Sequence, residues 1–124
     1  MATIKTFNDL EVWKKAHQLV LRIYRLTDEF PKSELFGLTS QLRRATASVA
    51  ANIVEGFRRH SLKDSINFYT IADASLEESK YHLLLAKDLH YISLETYSTA
   101  QLLAEEVGKL LTRWIQSQRT FLKA

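Results

Sequence analysis

Apolar residues recur along this chain at steps of three and four, the spacing of one helical face, and not in the alternation of a strand. Val12, Ala16, Leu19, Ile23, Leu26 and Phe30 form the first such stripe. Asn8 followed by Glu11 reads as a capping box ahead of it. Pro31 disfavours helix at Phe30. The pattern predicts a first helix over about 9–29. Ser33 is a cap for the next, with Glu34 in its first turn and Gly37 leaving the start open, giving a helix over about 34–58. Ser61 with Asp64 predicts a third over about 62–89, and Ser93 with Glu95 a fourth over about 94–121. Such short joints favour antiparallel neighbours. The expected architecture is all-α: residues 1–124 as one up-down-up-down four-helix bundle, with no internal repeat or linker.

The second helix, within "SQLRRATASVAANIVEGFRRHS", carries three faces. Leu38, Leu42, Ala45, Val49, Ile53 and Phe57 form an apolar stripe. Gln41, Arg44, Ser48, Asn52, Glu55 and Arg59 form a narrow polar one. Ala47, Ala50, Ala51 and Val54 form a third face, flanked by Arg43 and Arg58. That third face reads either as helix propensity on an exposed surface or as small side chains admitting another helix, from a second subunit for instance. The polar stripe reads either as a paired structural network or as a ligand or RNA site.

Composition narrows the class. Three glycines and one proline in 124 residues suit long helices and oppose a turn-rich all-β fold. The absence of cysteine excludes disulfides and thiolate chemistry and fits a cytoplasmic location. The first residues do not resemble a signal peptide, and no apolar run approaches the ~18 residues that span a bilayer, so no membrane association is expected. A net charge of +3 permits nucleic-acid contact without demanding it.

Catalytic patterns are missing. His17, His60, His82 and His90 stand in no Glu-x-x-His or His-Glu-x-x-His arrangement and have no zinc spacing. Ser48 and Ser75 have no base located beside them, and the neighbours Glu77-Glu78 and Glu105-Glu106 point about 100° apart on a helix. The expectation is a protein that is not an enzyme and holds no metal or cofactor.

The basic residues fall into clusters. Lys14, Lys15, Arg22 and Arg25 share an outward face of the first helix, with Gln18 among them and Glu11 and Glu29 diluting it. Arg58, Arg59, His60 and Lys63 gather at the turn after the second helix, and Arg113, Arg119 and Lys123 lie late in the fourth. Each cluster reads either as a solvated surface or as a set of phosphate contacts. Trp13 and Tyr24 border the apolar stripe of the first helix, which suits core packing better than base stacking.

Several of these residues carry a family likeness. The segments "FNDLEVWKKAHQL", "FPKSELFGLTSQLRRATASVAANIVEG" and "SLEE" resemble the four-helix-bundle family named after the 23S rRNA intervening-sequence protein, in the same order and over nearly the whole chain. The motif here is Phe36-Gly37-Leu38, Gln41, Arg44-Ala45, Ser48, Asn52-Ile53, Glu55-Gly56, Ser75-Leu76 and Glu78. The resemblance implies a homopentameric ring, with Gln41, Arg43, Arg44, Ser48, Ala51, Asn52, Glu55, Gly56 and Glu78 as structural or assembly residues. It extends to the accessory variability determinant proteins of diversity-generating retroelements, basic pentamers that bind nucleic acid and a reverse transcriptase. "EEVGKLLTRWIQS" is similar to the last helix of that group. Ala50 stands where members often have proline, which implies a straighter second helix here. The function this implies is a homo-oligomeric bundle that binds structured RNA or other nucleic acid through a repeated basic surface. The alternative is an adaptor for another protein, such as a reverse transcriptase, with little RNA affinity of its own.

Overall fold

The computed structural model describes residues 3–123, apart from the Lys123 side chain. Four helices carry it: α1 (Glu11–Thr27), α2 (Leu38–Arg58), α3 (Leu62–Asp88) and α4 (Leu94–Lys123), with no strand among the described residues. α1 packs on α2 and α4, and α3 packs on the same two, so α1 and α3 stand on opposite corners of a four-helix bundle. The end holding the α2–α3 turn and the close of α4 is called the distal end below. The end holding the α1–α2 and α3–α4 turns is the proximal end.

Helix starts follow local chemistry, with two shifts from the expected bounds. The Asn8–Glu11 box does not open α1. A 3-10 turn over Phe7–Asp9 comes first, and the Asp9 carboxylate accepts from the backbone N–H of Lys5 (2.9 Å) and Thr6 (3.0 Å). Those bonds hold the Asp9 carboxyl below its ordinary value, the Thr6 bond acting most strongly. Leu10 is then extended and almost wholly buried, and its burial delays the helix to Glu11. Ser33 likewise starts no α-helix. It lies in a 3-10 turn over Lys32–Glu34, and α2 begins at Leu38. Glu34, expected in the first turn, instead caps from outside by accepting from the Leu38 N–H at 3.0 Å. Ser61 and Ser93 cap as expected, accepting from the N–H of Asp64 (3.1 Å) and Thr96 (3.0 Å). α3 ends with His90 left-handed (φ 62°), the place glycine usually takes, while the Tyr91 N–H donates back to the Ala86 carbonyl at 2.9 Å.

The predicted apolar stripes of α1 and α2 line the core, except that Phe57 is only half-buried. They meet Tyr69, Leu76 and Leu83 of α3 and Ala104, Val107 and Leu111 of α4. Each fully buried large side chain contributes about 1.5–3 kcal/mol of transfer free energy. One close helix approach centres on a glycine. It lies between α2 and α3, where a Cβ added at Gly56 would stand 2.6 Å from the Tyr69 ring and 3.0 Å from the Ser65 carbonyl. Ser65, Ala72, Ser79 and Ala86 recur along the buried side of α3 and keep that flank slim. Ala51 is exposed, and Ala47, Ala50 and Val54 are half-buried. No helix of the described residues is long and apolar enough to cross a membrane.

Candidate nucleic-acid interface

The polar stripe of α2 divides into a bonded centre and exposed ends. Ser48 Oγ lies 2.8 Å from Ser75 Oγ across the α2–α3 seam. Asn52 Nδ2 donates to the Ser48 carbonyl (2.8 Å) and to Ser48 Oγ (2.9 Å). These bonds satisfy half-buried polar groups where two helices pack closely. Gln41, Arg44 and Glu55 are exposed, as is Glu78 on α3, whose carboxylate sits 3.3 Å from His82 Nε2.

Arg43 makes contacts that helical periodicity does not reveal. Its Nε donates to Thr27 Oγ1 at 2.7 Å, and its Nη2 donates to Asp28 Oδ1 at 2.9 Å and to the Tyr24 carbonyl at 3.3 Å. The guanidinium also lies over the Tyr24 ring, 4.7 Å from its centre. One α2 side chain thus closes the carboxyl end of α1, where carbonyls lack helical partners and a cation is favoured. The other proximal joint is bound by Glu34, which accepts from the Tyr91 hydroxyl at 2.8 Å as well as from Leu38. The Leu38 bond first, and then the Tyr91 bond, hold the Glu34 carboxyl below its ordinary value. The same contact pushes the Tyr91 hydroxyl up. Thr27 and Tyr91 carried no pattern in the sequence that would have singled them out.

The distal end has a different character. Arg58, Arg59, His60 and Lys63 are all exposed at the α2–α3 turn. Arg59 donates to Glu55 at 2.7 Å and lies over the Phe68 ring at 4.3 Å. Arg58 and Lys63 make no ion pair among the described residues. α4 runs to the same end and carries Arg113 and Arg119, both exposed. Arg113 borders an apolar groove of about 340 Å³ between the start of α1 and the late part of α4, with Ile4, Leu10, Val12 and Trp114 in its walls. The side chain of Lys123, named with this cluster, lies outside the described parts.

The α1 cluster is not one surface. Lys14 is 3.9 Å from Glu11, and Lys15 is tied to Glu106 of α4 at 3.2 Å. Arg22 and Arg25 lie toward the proximal end, beside a groove of about 430 Å³ that Tyr91, Ser93 and Thr96 also line. The topology therefore puts Arg58, Arg59, Lys63 and Arg119 toward one end, leaves Arg113 nearer the middle of the bundle beside Asp73, Glu77 and Glu105, and leaves Arg22 and Arg25 apart. Trp13 stacks on His17 and packs partly against the core, while Tyr24 is exposed beneath Arg43.

Comparison with known proteins places this geometry in a family. The bundle superposes on the crystal structure of a protein of unknown function from the S23 ribosomal protein family of Bacteroides thetaiotaomicron VPI-5482, solved at 1.70 Å. The TM-score is 0.78 with 30% sequence identity, over 84% of this chain and 97% of that one. None of the curated proteins compared with the chain matches it. The family model described as 23S rRNA-intervening sequence protein matches residues 8–113. That match spans all of α1 to α3 and most of α4, and the chain belongs to the 23S rRNA-intervening sequence protein family.

Proposed function

We propose that this protein is a non-enzymatic ring-forming bundle, a homopentamer, that binds structured RNA on the ring face built from the distal ends of its subunits. The observation that carries the reading is the grouping of Arg58, Arg59 and Lys63 at the α2–α3 turn, with Arg119 late in α4 running toward the same end. Within one chain this is a modest patch on a protein of net charge +3. Cyclic symmetry repeats it around the axis, and several weak phosphate contacts become one multivalent surface. Guanidinium and ammonium groups held at the ends of rigid helices match phosphate oxygens spaced along a folded RNA. The family's name, taken from an intervening sequence of 23S rRNA, agrees with that class of partner.

Such an interface reads charge and shape more than base identity. Affinity for a structured RNA hairpin should fall steeply as salt rises from about 50 to about 200 mM, with a log–log slope set by the number of phosphates neutralised. Binding whose strength stays flat across that range would remove the phosphate-contact model. Complete absence of RNA binding at low salt would leave protein adaptation as the remaining reading.

A further inference from the structure

We propose that the ring closes by docking the outer face of α1 in one copy against the outer face of α3 in the next. The inference rests on the oligomeric reading above and names the surfaces that build it. α1 and α3 occupy different corners of the bundle, each beside α4. Contact between two different faces is heterologous, and it closes into a ring when the faces incline toward a common side: Arg22 and Arg25 border the start of α4, and Glu77 borders its middle.

The two faces are unlike in charge and alike in having uncovered apolar side chains. The outer face of α1 exposes Leu21 (41%) between Gln18, Arg22 and Arg25, with Glu29 in the same groove, and neither arginine makes an ion pair among the described residues. Asp28, at the end of that face, is already engaged by Arg43. The outer face of α3 exposes Ile71 (48%) and Tyr81 (58%) around Glu77 and Glu78. Glu77 leans on Lys80 at 3.0 Å, and Glu78 on His82. α3 is thus apolar on its core side and at Ile71 and Tyr81 of an otherwise polar outer side.

The faces also match in height. Thr27 bonds Arg43 across α1–α2, and Ser48 bonds Ser75 across α2–α3. Counting along the antiparallel helices from these two contacts puts Thr27 level with Lys80. α1 and α3 run the same way, so Arg25 is level with Glu78 and Leu21 with the exposed Ala74, to within about one helical turn. A rotation about an axis parallel to the helices preserves height. It therefore brings Arg22 and Arg25 of one copy near Glu77 and Glu78 of the next, with Leu21 beside Ile71 and Ala74.

Charge reversal with rescue tests this on the full-length protein. The wild-type native mass should be a multiple of 14.3 kDa. Arg22→Glu with Arg25→Glu, and separately Glu77→Arg with Glu78→Arg, should each drop the mass to that of one chain. All four changes together should restore the oligomer. Helicity by circular dichroism confirms that each variant is folded. A second measurement stands apart from any folding defect. The chain has no cysteine, so Leu21→Cys with Ala74→Cys should give, on oxidation, a disulfide-linked ladder between copies that ends at the ring size. An oligomeric wild type whose mass survives either reversal, or that forms no ladder, overturns the α1–α3 docking and leaves the ring standing. Dissociation by Ala51→Leu, with the charge reversals silent, would assign the contact to the small-residue face of α2 instead. A monomeric wild type would overturn the ring and this contact together.

Discussion

The two ends of the bundle use the same kinds of residue for opposite purposes. At the proximal end, Arg43 is bound to Thr27, Asp28 and the Tyr24 carbonyl, and Glu34 is bound to Leu38 and Tyr91. At the distal end, Arg58 and Lys63 project without an ion-pair partner among the described residues, and Arg59 is held by Glu55 and Phe68. Arg43 and Arg58 sit on one helix and flank one alanine face, yet one closes a joint and the other remains available to an anion. What separates them is the neighbour each meets. The carboxyl end of α1 offers Arg43 a carbonyl, a hydroxyl and a carboxylate within reach. The α2–α3 turn that Arg58 overlooks is rich in cations. An arginine with internal partners stiffens the fold, whereas one without them keeps its charge for a ligand.

Three variants bear on that contrast, ordered by their effect on folding. Arg43→Met should cost about 1–2 kcal/mol, because it removes charge-assisted bonds that are only partly screened by solvent. Its side chain is 23% exposed. Urea denaturation reads this directly, and an unchanged midpoint would mean that the clamp contributes nothing. Glu34→Gln should act through pH. The carboxyl is held below its ordinary value of 4.5, so its charge stabilises the fold above that pH, and the contribution is lost as pH falls toward the lower folded value. Denaturation midpoints followed from about pH 7 down to about pH 3 should therefore show wild type and variant furthest apart at neutral pH and converging in acid. A constant gap would assign the effect to hydrogen bonding alone. Arg58→Gln with Lys63→Gln should leave stability within about 0.5 kcal/mol. RNA affinity should weaken, and its salt slope should become shallower by about one for each phosphate that is no longer neutralised. Full RNA affinity in that variant would move the interface away from the distal end.

Much of the core was legible because its signal is local. The stripe from Val12 to Phe30 and the stripe from Leu38 to Ile53 are buried as their spacing implies. Ser61 and Ser93 cap because a short hydroxyl side chain reaches an N–H three residues on without any tertiary help. The starts of α1 and α2 moved for non-local reasons, the burial of Leu10 and the reach of Glu34 to Tyr91. A close approach of helices within the bundle occurs at Gly56, whose need for space depends on Tyr69 of another helix.

By itself, the sequence determined the number of helices, the side of α1 and α2 that is buried, and the caps of α3 and α4. Those properties depend on residues within a turn or two of one another. Only the tertiary structure decided which cations are bound and which are free. Arg43 meets Thr27, Lys15 meets Glu106, and Glu34 meets Tyr91, each across a helix pair or joint. Helical periodicity states which way a side chain points along its own axis. It does not state what lies opposite, and the energy of a charge is set by what lies opposite.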